Sequence, residues 1–286
     1  MTKRFWAILA GATCALAPAQ GWAKTILFVG NSFTQGAHSP ARAYRPDLVT
    51  DLNHTQIGGV PAVFKTLTDE AGLDYTVSLE TDGGKGLDYH YDEKRDLLTG
   101  KWDVVVLQGL STLSRKNPGD PTSHVENAAL LAHMFKQANP AATVDLMSTW
   151  SRADQTYLST GHWYGKPITA MADDLTAASR LALEKSPDIS AILPVGAAWN
   201  RAFAEKVADP NPYDGVSFDQ VDLWTYDQYH ASAAGYYLEA LVVFGAVTAM
   251  DPRQFGKDEK AADALGLSPK LTVALQRIAW ETLAAK

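Results

Sequence analysis

Thr25-Ile26-Leu27-Phe28-Val29-Gly30-Asn31-Ser32-Phe33-Thr34 is the stretch from which the rest of the chain can be read. Its first five residues are apolar or β-branched and read as a short buried strand. The run stops at Gly30-Asn31-Ser32, where glycine and asparagine tolerate the backbone of a tight turn. A small hydroxyl residue is thereby placed at the carboxyl end of a strand, the edge at which open α/β sheets bind ligands. Ser32 reads either as a nucleophile, if a base reaches it, or as the N-cap of a following helix.

Outward from this stretch, strand-like and helix-like segments alternate. Ile57–Ala71 has Val60, Val63, Phe64 and Leu67 on one helical face, with Gly72 at its end. Tyr75–Leu79 reads as a second strand running into the turn Asp82-Gly83-Gly84-Lys85-Gly86, and Leu87–Leu98 as a helix. Trp102–Gln108 holds a continuous valine run, suited to a parallel strand covered on both faces. A helix over Ser123–Ala138, strands at Thr143–Ser148 and Ile189–Pro194, and helices over Ile168–Glu184, Ala231–Met250 and Leu271–Ala284 continue the alternation. The expected fold is α/β: a doubly wound, flavodoxin-like, mostly parallel five-stranded sheet with helices on both faces. Gln35–Gln56 is long for a connection and reads as a lid or substrate wall.

The N-terminus reads as a secretory signal peptide over residues 1–23, with basic Lys3-Arg4, an apolar stretch, and Gly21-Trp22-Ala23 before the cut. The remaining 263 residues are expected to form one domain, 24–286. The only cysteine, Cys14, leaves with the signal, so neither a disulfide nor a thiol nucleophile is expected. The formal charge of −7 becomes −9 without Lys3 and Arg4, which argues against nucleic acid as a partner. No segment suggests stable membrane insertion, and the expected location is a bacterial periplasm or the cell exterior. Neither a metal nor another cofactor is expected, since no His-Glu-x-x-His helix or phosphate loop occurs.

Three strand ends carry groups suited to ester chemistry. Ser32 offers a nucleophile, the amides of Ser32 and Gly84 offer oxyanion donors, and Gln108 or Ser111 offers a side-chain donor. Of seven histidines, His230 alone follows an aspartate at Asp-x-x-His spacing and opens a helix. Asp227 can reach back to orient and stabilise such an imidazole, although the same spacing also fits a helix cap beside a structural histidine. His38, His54, His90 and His162 lie in polar contexts and read as surface residues.

Taken together, strand-Gly30-Asn31-Ser32-Phe33-Thr34 near the start and Asp227-x-x-His230 near the end resemble the SGNH/GDSL hydrolase superfamily. The resemblance implies Ser32 as nucleophile, His230 as base, Asp227 as its orienting acid, and Gly84 as an amide donor to the oxyanion. The third block departs from the family's Gly-x-Asn-Asp, because Gln108-Gly109-Leu110-Ser111 stands there. Gln108 or Ser111 is expected to substitute, or two donors suffice. The Gln108-x-x-Ser111 and Trp150-Ser151-Arg152 pieces resemble a little-characterised bacterial branch. Asn31, Ser111, Trp150 and Arg152 are candidate substrate contacts. The expected activity is hydrolysis of a small acyl ester, O-acetyl on a carbohydrate being one form, through a Ser-His-Asp triad and an acyl-enzyme. A carbohydrate-binding protein without turnover, a lipase or lysophospholipase, and an acyltransferase remain alternative readings of the same motifs. The partner is a small-molecule or carbohydrate ester, and the oligomeric state is left open.

Overall fold

The computed structural model describes residues 23–285; the expected signal peptide lies outside the described residues except for its last position. Six strands form one sheet in the order β2-β3-β1-β4-β5-β6, with every pair parallel. They are β1 (Lys24–Gly30), β2 (Thr50–Asp51), β3 (Tyr75–Thr81), β4 (Val104–Gln108), β5 (Thr143–Ser148) and β6 (Ala191–Pro194). The doubly wound α/β reading holds, with one strand more than expected. The sixth is β2, whose two residues pair with Ser78 and Leu79. It lies in the polar stretch Gln35–Gln56, and a two-residue edge strand carries no alternation to read.

The helices are α1 (Gly59–Glu70), α2 (Leu87–Glu93), α3 (Arg95–Leu98), α4 (Thr122–Ala138) and α5 (Ala153–Tyr157). They continue with α6 (Ala170–Lys185), α7 (Val195–Ala204), α8 (Ala233–Thr248), α9 (Lys260–Ala264) and α10 (Pro269–Ala284). The single helix expected over Leu87–Leu98 is broken at Lys94, which leaves helical geometry. The short α5 and α9 lack the length for a periodic signal.

Alternate residues of each central strand enter different cores, which is why the strands read as unbroken apolar runs. Ile26, Phe28, Val104 and Val106 pack with α1, α7, α8 and α10. Leu27, Val29, Val105 and Leu107 pack with α2, α3 and α4. The chain winds from β1 out to β2 and β3, then returns across β1 to β4. That reversal opens a crevice at the strand carboxyl ends beside β1. Ser32 follows β1 directly into it.

Candidate active site

The turn after β1 is built from Gly30, Asn31 and Gln108. A Cβ at residue 30 would collide with Thr34 Oγ1 and stand 2.7 Å from Gln108 Oε1, so only glycine fits. Gln108, fully buried at the end of β4, accepts from the Asn31 amide (2.9 Å) and from Thr34 Oγ1 (3.2 Å). Its Nε2 donates to the Gly109 carbonyl. Asn31 Nδ2 donates to the carbonyls of Lys85 (2.9 Å) and Gly109 (3.2 Å), and its Oδ1 accepts from the Phe33 amide (3.2 Å). These two side chains tie the ends of β1, β3 and β4 together.

This corrects two expectations. Gln108 faces the underside of the Ser32 turn and is enclosed there, so it is not an oxyanion donor. Asn31 is a structural tie, with its polar atoms committed to backbone. Gln108→Leu should therefore orphan the buried Asn31 amide and Thr34 hydroxyl, at a cost of about 2–4 kcal/mol. Urea unfolding would measure the loss.

Ser32 does not cap a helix, since only turns follow it. Its Oγ lies 2.9 Å from His230 Nε2, across 198 residues of sequence. His230 Nδ1 lies 2.6 Å from Asp227 Oδ2. Asp227 Oδ1 accepts from the amides of Tyr229 (3.1 Å) and His230 (2.9 Å), so the carboxylate both shapes its own turn and meets the imidazole. The cap of α8 is a different residue, Ser232, whose Oγ accepts from the Gly235 amide. From α8, Tyr236 donates to the Ala37 carbonyl (3.1 Å) and holds the Ser32 loop from below.

Trp150 is another correction. It is fully buried, stacked between Phe33 (4.1 Å) and Trp199 (4.7 Å), and its indole N–H donates to the Tyr229 carbonyl (3.2 Å). It is a strut between the Ser32 turn and the loop carrying His230, closed to substrate. Arg152 Nη1 lies 3.4 Å from the Oγ of Ser111, which is itself buried. Arg152 is engaged by Asp154 through two parallel bonds (2.9 and 2.6 Å) and lies 3.4 Å above the Tyr229 ring. Asp154 thus pairs with Nε and Nη2 and leaves Nη1 directed at Ser111.

The turn after β3 carries Gly84 at φ +70°, a left-handed conformation that favours glycine. It is pinned by the Asp82 amide on the Gly30 carbonyl (3.0 Å) and by Asn31 on Lys85. Arg115 holds the Gly84 carbonyl. Among the described residues, the amides of Ser32 and Gly84 donate to no other group.

Of the histidines read as surface residues, His90 has another setting, while His38 is exposed as expected but borders the site. His90 is fully buried, its Nδ1 2.5 Å from Glu80 Oε2 beneath the β3 turn. His38 stands beside the site: its ring centroid is 4.5 Å from that of His230, and its Nδ1 is 2.7 Å from the Tyr226 hydroxyl. Nothing in the Gly36-Ala37-His38 sequence signals this, because it depends on a contact with a loop some 190 residues away. The Gln35–Gln56 stretch thus brings His38 beside His230. Ligand atoms of His38, Asp227 and His230 lie within 4.8 Å of one another, a set with the chemistry to hold a metal ion.

Burial pushes the His230 pKa down. The bond and charge of Asp227 oppose this, His38 and Arg152 add to it, and the net shift is below the ordinary imidazole value. Burial would raise the Asp227 carboxyl, but the bonds from the His230 ring and from two amides outweigh it and hold it below the usual range. At neutral pH the pair is therefore a neutral imidazole beside a carboxylate. A reaction that needs this imidazole as base gains rate as pH rises, with its midpoint below about 6.5. A pH–rate profile of kcat/KM checks this, and a midpoint above that value contradicts it.

No protein-family model matches this chain, and no curated protein matches it. Solved structures share its fold at low sequence identity. A DUF4886 family protein from Bacteroides uniformis is 18% identical with a TM-score of 0.65, over 92% of this chain and 95% of that one. A candidate GDSL-like lipase from Parabacteroides merdae is 18% identical with a TM-score of 0.55, over 79% and 95%. The psychrotrophic esterase EstA from a Pseudoalteromonas species, solved inhibited by monoethylphosphonate, is 13% identical with a TM-score of 0.50, over 79% and 97%.

Proposed function

We propose that this chain, which has the fold of GDSL-like lipases and esterases, is a serine ester hydrolase acting on small acyl esters. One observation carries the reading: the continuous path from Ser32 Oγ through His230 to Asp227, with links of 2.9 and 2.6 Å. Both links are within the reach general-base activation of a nucleophile requires.

In this reading His230 Nε2 takes the Ser32 proton as Oγ attacks the ester carbonyl. The carboxylate of Asp227 holds the Nδ1–H tautomer and stabilises the imidazolium. The amides of Ser32 and Gly84 receive the negative oxygen of the tetrahedral intermediate. His230 then gives its proton to the departing alcohol, leaving an acyl-Ser32 that water cleaves by the same steps in reverse. Arg152 supplies a polar contact at the mouth. Asp227, drawn below its usual range, stays ionised throughout. The chain is further proposed to be exported by residues 1–23 and to work as the single domain 24–286.

The test is turnover of p-nitrophenyl esters of increasing acyl length by the purified protein. Hydrolysis with preference for acetate supports the reading, whereas preference for long chains points to a lipase instead. No turnover, with no labelling of Ser32 by an organophosphonate, would overturn it in favour of a binding protein.

A further inference from the structure

Among the described residues, three aromatic rings pack against the His230 imidazole. Between centroids, Tyr229 lies 4.0 Å from it, His38 4.5 Å and Phe33 5.7 Å. Phe33 is fully buried, Tyr229 is half-buried, and His38 alone of the three is exposed, whereas His230 itself is only 6% exposed. His38 is therefore the ring between His230 and solvent. The mechanism above gives it no part.

Its place is built into the loops around it. His38 holds φ +62°, a left-handed conformation uncommon outside glycine. Residues held in such conformations persist where their surroundings fix them, and they cluster at active sites. Here the fixing groups come from the loop that carries the acid and the base. The Thr225 hydroxyl donates to the His38 carbonyl (3.1 Å), and the Thr225 amide donates to the His230 carbonyl (2.8 Å). One residue thus sets the backbones of both histidines. The next residue, Tyr226, places its hydroxyl 2.7 Å from His38 Nδ1, with its ring edge-on to that imidazole. Tyr226 is 76% exposed, so its contact with His38 is no by-product of core packing. On the other side, the Ala37 amide donates to the Ser32 carbonyl (3.0 Å). His38 is thereby tied both to the turn of Ser32 and to the loop of Asp227.

What such a cover does follows from electrostatics. The link between His230 Nδ1 and Asp227 Oδ2 is 2.6 Å long. Water reaching it would compete for the proton and for the carboxylate oxygen and would screen their attraction, so excluding water strengthens the link. A ring packed on the imidazole also limits its rocking, and a small misplacement of a base is costly to rate. Ser32 meets the opposite nitrogen, Nε2, and is only partly buried, so covering the pair does not close off the nucleophile.

We infer that His38, clamped by Thr225 and Tyr226, is a positioning residue that shuts water out of the Asp227–His230 hydrogen bond and holds the imidazole toward Ser32. Its effect on turnover rests on the esterase reading; the shielding does not.

The shielding is read from the His230 Nδ1 proton by NMR, identified by its loss in His230→Gln. EDTA is present throughout, because a metal ion on His38, Asp227 and His230 would displace the same proton. His38→Asn removes the ring and keeps the backbone, since asparagine tolerates the left-handed conformation. Tyr226→Phe keeps both rings and removes the bond between them. Exchange of this proton with water should be at least about tenfold faster in His38→Asn and about threefold faster in Tyr226→Phe. Equal exchange in all three proteins, or a signal already lost to exchange in the parent, overturns the inference. Tyr226→Phe alone decides it should His38→Asn not fold. In parallel, kcat for p-nitrophenyl acetate should fall about tenfold in His38→Asn with KM within about twofold, because His38 acts on the base and not on the substrate. Unchanged kcat beside faster exchange overturns the positioning role. If the parent itself shows no turnover, the esterase reading fails, and the exchange measurement still decides the shielding.

Discussion

Ser32→Ala is expected to lower kcat for p-nitrophenyl acetate by roughly 10⁴- to 10⁶-fold, the range found where a nucleophile acts as a unit with its base. The fold should not follow the activity. Among the described residues Ser32 Oγ bonds only to His230, whereas the turn is held by Gln108, Asn31 and Tyr236 through other atoms. The change in stability should therefore stay within about 0.5 kcal/mol. Mass spectrometry after treatment with an organophosphonate should show one adduct in the parent protein and none in the variant. Turnover that survives in Ser32→Ala, with an unchanged melting curve, would remove Ser32 from the chemistry.

The second large effect belongs to Asp227→Asn. Asparagine keeps the Oδ1 acceptor that meets the Tyr229 and His230 amides, so the turn should persist. Its amide nitrogen would then face His230 Nδ1, which is 2.6 Å from Oδ2 in the parent. A donor there favours the tautomer with the proton on Nε2. That nitrogen could no longer accept from Ser32, and the developing imidazolium would lose its counter-charge. A fall in kcat of about 10³- to 10⁴-fold is expected, with KM little changed. If Asp227→Asn lost less than about tenfold, Asp227 would be confined to shaping its turn, which is the alternative its sequence spacing also allowed.

These two variants probe groups that local sequence could nominate but not bring together. Ser32 was legible because strand, glycine and hydroxyl occur within one short stretch, and turn chemistry is local. The α/β alternation was legible for the same reason: parallel strands buried on both faces read as unbroken apolar runs. The tie made by Gln108 was not legible. A glutamine at a strand end has the same local signal whether it faces the crevice or lies beneath the neighbouring turn. Only the pairing of β4 beside β1 decides between them. Trp150 was ambiguous in the same way, since an aromatic after a strand suits either a sugar platform or a core strut. Its stacking between Phe33 and Trp199 makes it the latter.

From the sequence alone came the class of fold, the order of its elements, and the three residue types whose chemistry suits ester hydrolysis, because each rests on contacts between near neighbours in the chain. The tertiary structure decided that Ser32 and His230 meet across 198 residues and that His38 joins them. Those contacts follow from strand order and register, which set distances between segments that no local pattern encodes.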